Sequence, residues 1–474
     1  MTTMRTISRL ILRESSASSP PRWLSTVTGK ATAETQPRRR NVLFNKVVRA
    51  KSEASIADIF NKWVDQGNEV TRYDIRDLSI HFRSRKNFQA ALQIYDWMES
   101  IKLKIQNTDQ AIRISLLWKV EGLASAERYF NSLQESEKTI KTYGALLNCY
   151  CNDKVLDKAL QIFEKMKVLN YLSTLNYNNV MALYLSMEQP GKVVDLVQEM
   201  EENNIALDPY TYNLLINSYG AMKNFDAVEG VLEKMKINNV ECCLFTYGNL
   251  ATIYFNSGLH EKANDYLETM EKMKLQPKKD GFEACHTLIR LHSEMNNLSG
   301  VNRAWEAIKS AFPKPKNLDY LIMLLALSKL GDQENLEKLF EEWEKGCSEY
   351  DFRLPNVLLG YYLSRDMIDK ATSLYESMLK SRSGYNLKSL DLFATLSMKN
   401  RQIDLALEYL EMGLDKARKL NHEWFPTDET TKLFFDYFEE NNDAGRYEKF
   451  VQSMKKANRL DSALLNKKAK DAES

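Results

Sequence analysis

Glycine and proline are scarce in this 474-residue chain, at 17 and 10 residues. Both residues interrupt helices, so their scarcity excludes loop-rich and collagen-like chains and leaves room for long helical arrays. Histidine is rarer still. The five histidines (His81, His260, His286, His292, His422) are scattered, without the spacing of a catalytic triad or a metal site. His292-Ser293-Glu294 matches the first half of a zinc-deaminase signature, but no P-C-x-x-C follows it. The six cysteines (Cys149, Cys151, Cys242, Cys243, Cys285, Cys347) contain no C-x-x-C. Cys149 and Cys151, two apart on a helix, point about 200° apart and cannot grip one metal. Several cysteines fall within apolar helix faces, which fits buried, reduced thiols. No phosphate-binding glycine loop and no paired-carboxylate signature occurs. The richest apolar run, Tyr320 to Leu327, is broken by Ser328 and Lys329, far short of the roughly 20 residues that span a bilayer. These absences point away from an enzyme, a cofactor or metal site, and a membrane span.

What the chain does have is a period. A small or branched apolar residue recurs at Ala159, Val193, Val228, Ala263, Val301, Leu336, Ala371 and Ala406, at intervals of 34, 35, 35, 38, 35, 35 and 35. Seven positions beyond these runs a second column: Met166, Met200, Met235, Met270, Ile308, Trp343, Met378. Two weaker copies precede them, marked by Ala91 with Met98 and Ala126 with Leu133. Each repeat reads as two amphipathic helices. Tyr212, Leu215, Ile216 and Tyr219 share one helical face, and Val228, Val231, Leu232 and Met235 share another. The polar stretch from Ala221 to Asp226 supplies the turn between them. Helices this short cannot bury their stripes alone, so the stripes must meet within and between hairpins. The expectation is an all-α solenoid, whose function lies on an extended surface rather than in a pocket.

The amino end is different material. Residues 1–50 carry ten Lys/Arg against two acids, Glu14 and Glu34. The first thirteen residues can form an amphipathic helix with Ile7, Leu10 and Ile11 beside arginines. This is the composition of an organelle transit peptide, the spaced arginines favouring mitochondria over chloroplasts. Arg22-Trp23-Leu24-Ser25 has an arginine where a mitochondrial processing site would carry one, which would release a chain starting near Ser25. The expected layout is a transit peptide over 1–30, a basic linker and leading helix over 31–71, about ten repeats over 72–420, a degenerate hairpin over 421–460 and a charged tail over 461–474.

The helix openings Thr142-Tyr143-Gly144, Asn176-Tyr177-Asn178, Thr211-Tyr212-Asn213 and Thr246-Tyr247-Gly248 resemble those of the pentatricopeptide repeat (PPR). So does the second helix from Asp157 through Ala159, Leu160 and Phe163 to Met166. The uniform length resembles the P-type subclass of plant organelles, with departures at the 38-residue unit 244–281 and the first two copies. The resemblance implies a right-handed α-solenoid that binds single-stranded organelle RNA, one base per repeat. In the family the fifth residue of a repeat meets the base edge, the last residue supports that contact, and the second residues of adjacent repeats sandwich the base. Carried over, Asn178 with Asp208 is the uridine-reading pair, flanked by Leu175 and Tyr210. Asn356 with Asn386 leans toward cytidine. Asn213 pairs with Cys243 and implies a weak preference.

The other pairs are off-pattern: Arg76/Gln106, Ala111/Thr139, Gly144/Ser173, Gly248/Gly281, His286/Lys316 and Leu321/Asp351. Removing the charges of residues 1–50 from the totals of 65 basic and 64 acidic leaves 55 and 62, a body of about −7. Phosphate neutralisation normally supplies most nucleic-acid affinity. Yet only Lys119 and Lys329 occupy the thirteenth position, where family members often place a lysine beside the RNA backbone. Two roles therefore stand: an RNA-binding solenoid in mitochondrial RNA metabolism (stabilisation, processing or translation) with modest specificity, or a protein-binding scaffold such as a mitochondrial ribosome-associated component.

Overall fold

The computed structural model describes residues 37–49, 55–103, 105–273, 279–311, 314–380, 385–420, 422 and 424–456. The proposed transit peptide at 1–30, its cleavage site near Ser25 and the tail at 461–474 lie outside the described residues. Among the described residues every regular element is a helix, and none is long and apolar enough to cross a membrane. The chain divides into two compact halves, residues 1–241 and 242–474.

In the first half, α1 (Pro37–Arg49) and α2 (Ile56–Asp65) precede five helical hairpins. These are α3 (Arg72–Ser84) with α4 (Phe88–Ser100), α5 (Asn107–Glu121) with α6 (Leu123–Ser132), α7 (Ile140–Asn152) with α8 (Leu156–Val168), α9 (Thr174–Ser186) with α10 (Pro190–Glu202), and α11 (Pro209–Ala221) with α12 (Phe225–Ile237). The second half holds six more. They are α13 (Leu244–Asn256) with α14 (His260–Lys272), α15 (Lys279–Glu294) with α16 (Leu298–Ala311), α17 (Asn317–Leu330) with α18 (Gln333–Gly346), α19 (Arg353–Ser364) with α20 (Ile368–Lys380), α21 (Leu387–Lys399) with α22 (Ile403–Lys419), and α23 (Asp428–Asn441) with α24 (Ala444–Lys456).

The periodic columns form the core. Ala159, Val193, Val228, Ala263, Val301, Leu336, Ala371 and Ala406 are all 0% exposed, and every member of the second column is 1% exposed or less. Side chains seven apart on a second helix lie two turns along one face, so both seat against the first helices. The all-α solenoid expected from the period is the fold observed.

The turns inside the hairpins are built alike. Lys223, in the left-handed region at φ 57°, ends α11. Its N–H donates to the Gly220 carbonyl at 3.0 Å, and the Asn224 N–H donates to that of Tyr219 at 2.9 Å. That is the double bond of a Schellman cap. Lys154, Glu188, Gly258, Asn296, Asp366 and Arg401 take the same left-handed place in their own hairpins. Most of these residues are charged or amide side chains rather than glycine, so no glycine column marks the turns in the sequence.

The opening tripeptide Thr-Tyr-Asn has a physical meaning. The threonine closes the helix start: Thr211 Oγ1 accepts from the Asp208 N–H at 3.3 Å, and the Asp208 carboxylate accepts from the Thr211 N–H at 2.8 Å. This is a reciprocal capping box. The tyrosine is buried and ties the hairpin together. The Tyr212 hydroxyl accepts from Asn238 Nδ2 at 2.7 Å, and Tyr177 donates to Glu199 Oε1 at 2.7 Å. The asparagine of this tripeptide, Asn213, turns back to the Pro209 carbonyl of its own helix, whereas Asn178 at the same place in the preceding repeat reaches Asp208.

His292, weighed against a catalytic reading, is a packing residue instead. It is 1% exposed, with Nε2 2.7 Å from Glu271 Oε1. Glu271 also receives Arg303 at 3.1 Å. Burial lowers the His292 pKa, only partly offset by Glu271. Burial pushes Glu271 upward, but hydrogen bonds from Arg303 and His292 outweigh it and hold the carboxyl below the usual range. Both groups therefore take up protons more readily when unfolded. The His292 contribution is complete above the unfolded histidine pKa of about 6.5 and is lost as pH falls through its lower folded value. The Glu271 contribution is lost in a lower window, beneath about 4.5. Thermal midpoints measured from pH 7.5 down to 5 should fall, and His292→Gln should flatten that slope. An equally steep slope in the variant would reject the assignment.

Candidate nucleic-acid interface

Asn178 lies on α9 and Asp208 caps α11, yet the fold brings their side chains together. Asn178 Nδ2 donates to Asp208 Oδ1 at 3.1 Å. The Thr211 hydroxyl, at 2.8 Å, donates to Asn178 Oδ1. Asn356 and Asn386 repeat the arrangement: Asn356 Nδ2 donates to Asn386 Oδ1 at 3.1 Å, and Ser389 Oγ donates to Asn356 Oδ1 at 3.0 Å. Asn213 behaves differently. Its Nδ2 turns back to the Pro209 carbonyl of its own helix at 2.8 Å, and its buried Oδ1 has no partner among the described residues.

Asparagines on a first helix would ordinarily be solvated. The structure corrects that expectation, since Asn178 is 2% exposed and Asn213 and Asn356 are also buried. The cause is the capping geometry. At Asn178 and Asn356 the start of the following repeat lies across the amide, and the hydrogen bonds it provides remove the penalty for burying a polar group. The second residues of this repeat and the next are apolar and in the open, Leu175 at 40% exposure and Tyr210 at 49%. Tyr73 and Phe245, the second residues of two other repeats, are exposed as well. The second-position side chains are thus exposed where the fifth-position amides are buried.

The donor and acceptor inventory of the two pairs differs by one group. In each, the capping oxygen is occupied by the following helix: Asp208 Oδ1 accepts from the Thr211 N–H, and Asn386 Oδ1 from the Ser389 N–H at 2.8 Å. The atom remaining is a carboxylate oxygen on Asp208 and an NH2 on Asn386. Beside the second amide proton of the partner asparagine, the first pair offers a donor and an acceptor, the second two donors.

Two features were not singled out from the sequence. Asp391 occupies the fifth position of the repeat starting at Leu387, buried and accepting from the Thr427 N–H at 3.0 Å and Thr430 Oγ1 at 2.8 Å. His286, noted as off-pattern, has Nε2 2.6 Å from Asp319 Oδ1 rather than a contact with Lys316. In both, the partner belongs to the first turn of the next first helix, a register that spacing alone does not reveal.

Positive charge at this surface is limited. Lys329 is paired with Glu294. The Lys119 ammonium sits 3.7 Å from the Trp118 ring centroid, and burial lowers its pKa. Other cations are engaged between successive second helices, as Lys158 with Glu127 at 2.5 Å, Lys167 with Glu199 at 2.9 Å and Lys370 with Glu337 at 2.7 Å. All six cysteines are free, and burial pushes Cys149, Cys151 and Cys285 up to about 12, which leaves them unreactive. No group of three or more metal-binding side chains occurs among the described residues.

The sequence pattern of the PPR repeat family matches residues 172–220, the PPR repeat matches 141–171 and 210–240, and the pentatricopeptide repeat domain matches 231–289. A mitochondrial pentatricopeptide repeat-containing protein of Arabidopsis thaliana is 35% identical over 443 residues, covering 92% of this chain and 87% of its own length. The chain belongs to the pentatricopeptide repeat family. Large ribosomal subunit protein mL101 of Arabidopsis thaliana is also similar, 32% identical over 87% of this chain and 84% of its own. Among solved structures, the PPR protein PPR10 in complex with an 18-nucleotide psaJ RNA element has TM-score 0.50 at 16% identity, covering 92% of this chain and 71% of that one. At that identity the likeness concerns the fold. Asp208 and Asn386, the last residues of their PPR repeats, thus cap the next helix with the same oxygen that holds the preceding asparagine.

Proposed function

We propose that this chain is a P-type PPR protein of the mitochondrial matrix, delivered by residues 1–30. Its repeat array over 72–420 binds single-stranded RNA to stabilise, process or promote translation of transcripts. The observation that carries this reading is the Asn178–Asp208 hydrogen bond together with exposed Leu175 and Tyr210 at the second positions of the two repeats, which would form a slot for one base. The relatives named mitochondrial and the fold likeness to an RNA-bound PPR protein support it.

The donor–acceptor inventory gives the preference a physical basis. Uracil presents an N3–H donor beside a carbonyl acceptor, which matches an acceptor on Asp208 and a donor on Asn178. Cytosine presents N3 and O2 as adjacent acceptors, which matches the two donors of Asn356 and Asn386. Asp208→Asn should therefore move the preference at that base from uridine to cytidine by about tenfold, since a bidentate contact discriminates by roughly 1–3 kcal/mol. Asparagine also caps helices well, so the fold is retained. Binding of short RNAs that differ at one base measures this; an unchanged preference rejects the pair as the reader.

A ribosomal reading rests on the 32% identity to mL101 and on the acidic body. It predicts co-sedimentation with the large mitochondrial ribosomal subunit that survives Asn178→Ala with Asp208→Ala. RNA crosslinking in mitochondria that is lost in that double variant supports the first reading instead. With only Lys119 and Lys329 at the thirteenth position and Lys329 paired with Glu294, the salt dependence of RNA binding should be shallow for a chain of this size.

A further inference from the structure

At several junctions within each half, the third residue of a first helix has two neighbours: the cap of its own helix and the fifth residue of the repeat before. Thr211 Oγ1 meets Asn178 Oδ1 at 2.8 Å, and Ser389 Oγ meets Asn356 Oδ1 at 3.0 Å. Asp319 meets His286 at 2.6 Å in the same register, 33 residues apart as in the first two cases. At Gly144, where no side chain reaches out, Asn176 Nδ2 lies 3.3 Å from where a Cβ would be. The contact thus persists across repeats whose fifth residues are chemically unrelated.

A carboxamide has two orientations that swap a donor for an acceptor, and a base can be discriminated only if one is held. The capping atom fixes the nitrogen side of Asn178 and Asn356, because Asp208 Oδ1 and Asn386 Oδ1 can only accept. The one hydroxyl proton of Thr211 also has Asp208 Oδ1 within reach at 2.9 Å, and that of Ser389 has Asn386 Oδ1 at 3.1 Å; donated to the nearer amide oxygen, it fixes the oxygen side. Thr211 and Asn178 are both buried, as are Ser389 and Asn356, so water does not substitute easily at either contact. From this geometry we infer that Thr211 and Ser389 are specificity-determining positioning residues. They lock the amides of Asn178 and Asn356 in the orientation that presents a donor to the base, and so set the base preference of the preceding repeat. This rests on the RNA-reading proposed above. It adds a residue of the next repeat to the two that carry the preference.

The test uses the full chain and short single-stranded RNAs differing only at the base facing Asn178. Thr211→Val keeps the shape and removes the hydroxyl. The preference for uridine over cytidine, about tenfold in the parent, should fall to roughly two- to threefold, and Thr211→Ser should restore it. Ser389→Ala should reduce the cytidine preference at the base facing Asn356 in the same way. Thr142→Val controls for lost capping: Thr142 Oγ1 accepts from the Thr139 N–H at 2.8 Å, but the fifth residue of the preceding repeat is Ala111, which has no amide to orient. It should lower the thermal midpoint as Thr211→Val does and leave the preference at the Asn178 base intact. A parent that binds RNA with a preference unmoved by Thr211→Val overturns the positioning role alone. Equal loss of preference in Thr142→Val also overturns it, by reducing the effect to stability. A parent that binds no RNA overturns this inference and the RNA reading together.

Discussion

Gly300→Ala should destabilise the second half of the chain by about 2–4 kcal/mol. A Cβ at this position would lie 2.4 Å from His292 Cγ and 2.5 Å from Nδ1. That is well inside van der Waals contact. The ring has nowhere to go, since His292 is 1% exposed and its Nε2 is held 2.7 Å from Glu271. Either the imidazole moves and leaves Glu271 and Arg303 without it, or α15 and α16 separate and open the core around Leu291 and Val301. Both routes combine overpacking with a broken buried hydrogen bond. The proper comparison is Gly230→Ala on α12, where nothing lies within 4 Å of the added carbon. Relief of helical glycine there should raise stability by up to about 1 kcal/mol. Amide hydrogen exchange should report faster opening in α15 and α16 for Gly300→Ala, with α9 to α11 changed less, because a repeat array transmits stability mainly between neighbours. Uniform protection equal to the parent would refute the close-approach account.

Leu175→Ala combined with Tyr210→Ala should weaken RNA binding by about 10- to 100-fold, without lowering the thermal midpoint. Stacking on a flat or apolar side chain is worth roughly 1–3 kcal/mol per base. The two residues would flank the same base. Both already stand in solvent, at 40% and 49% exposure, so their truncation removes little that the folded state buries. This separates the pair from Tyr177 and Tyr212, which are buried and hydrogen-bonded to second helices. Fluorescence anisotropy with a labelled single strand is sufficient. An unchanged Kd in the double variant would remove the slot from the binding surface and favour the ribosomal reading, for which these residues are incidental.

The two kinds of pattern in the chain differ in how far they could be read. The columns through Ala159 and Met166 were legible because burial is imposed once per repeat at a fixed helical phase, and every member lies in the core. The identity of the second helix face followed from the same count. The turns were less so. Lys154, Glu188 and Arg401 adopt a left-handed conformation usually given to glycine, and they carry no shared residue type that marks them. The fifth-position asparagines were found through the resemblance, but their surroundings were not. A single residue on a helix gives no sign of burial, whereas Asn178 and Asn356 are each bonded to a helix start 30 residues later in the chain. Asp391 escaped notice for the same reason: its partners, Thr427 and Thr430, lie beyond a longer connection that breaks the 35-residue register.

Amino-acid order by itself determined that this protein is a tandem array of helical hairpins, because apolar phase and length recur locally and need no partner to be seen. It also determined which residues occupy the second, fifth and last places of each repeat. Only the tertiary structure decided what those places do: that Asn178 is oriented from both sides, that Asn213 turns onto its own helix, and that Lys329 is neutralised by Glu294. The physical reason is that hydrogen-bond direction and charge pairing depend on the approach of groups from a different repeat. Helical phase, which a sequence records one residue at a time, does not encode that approach.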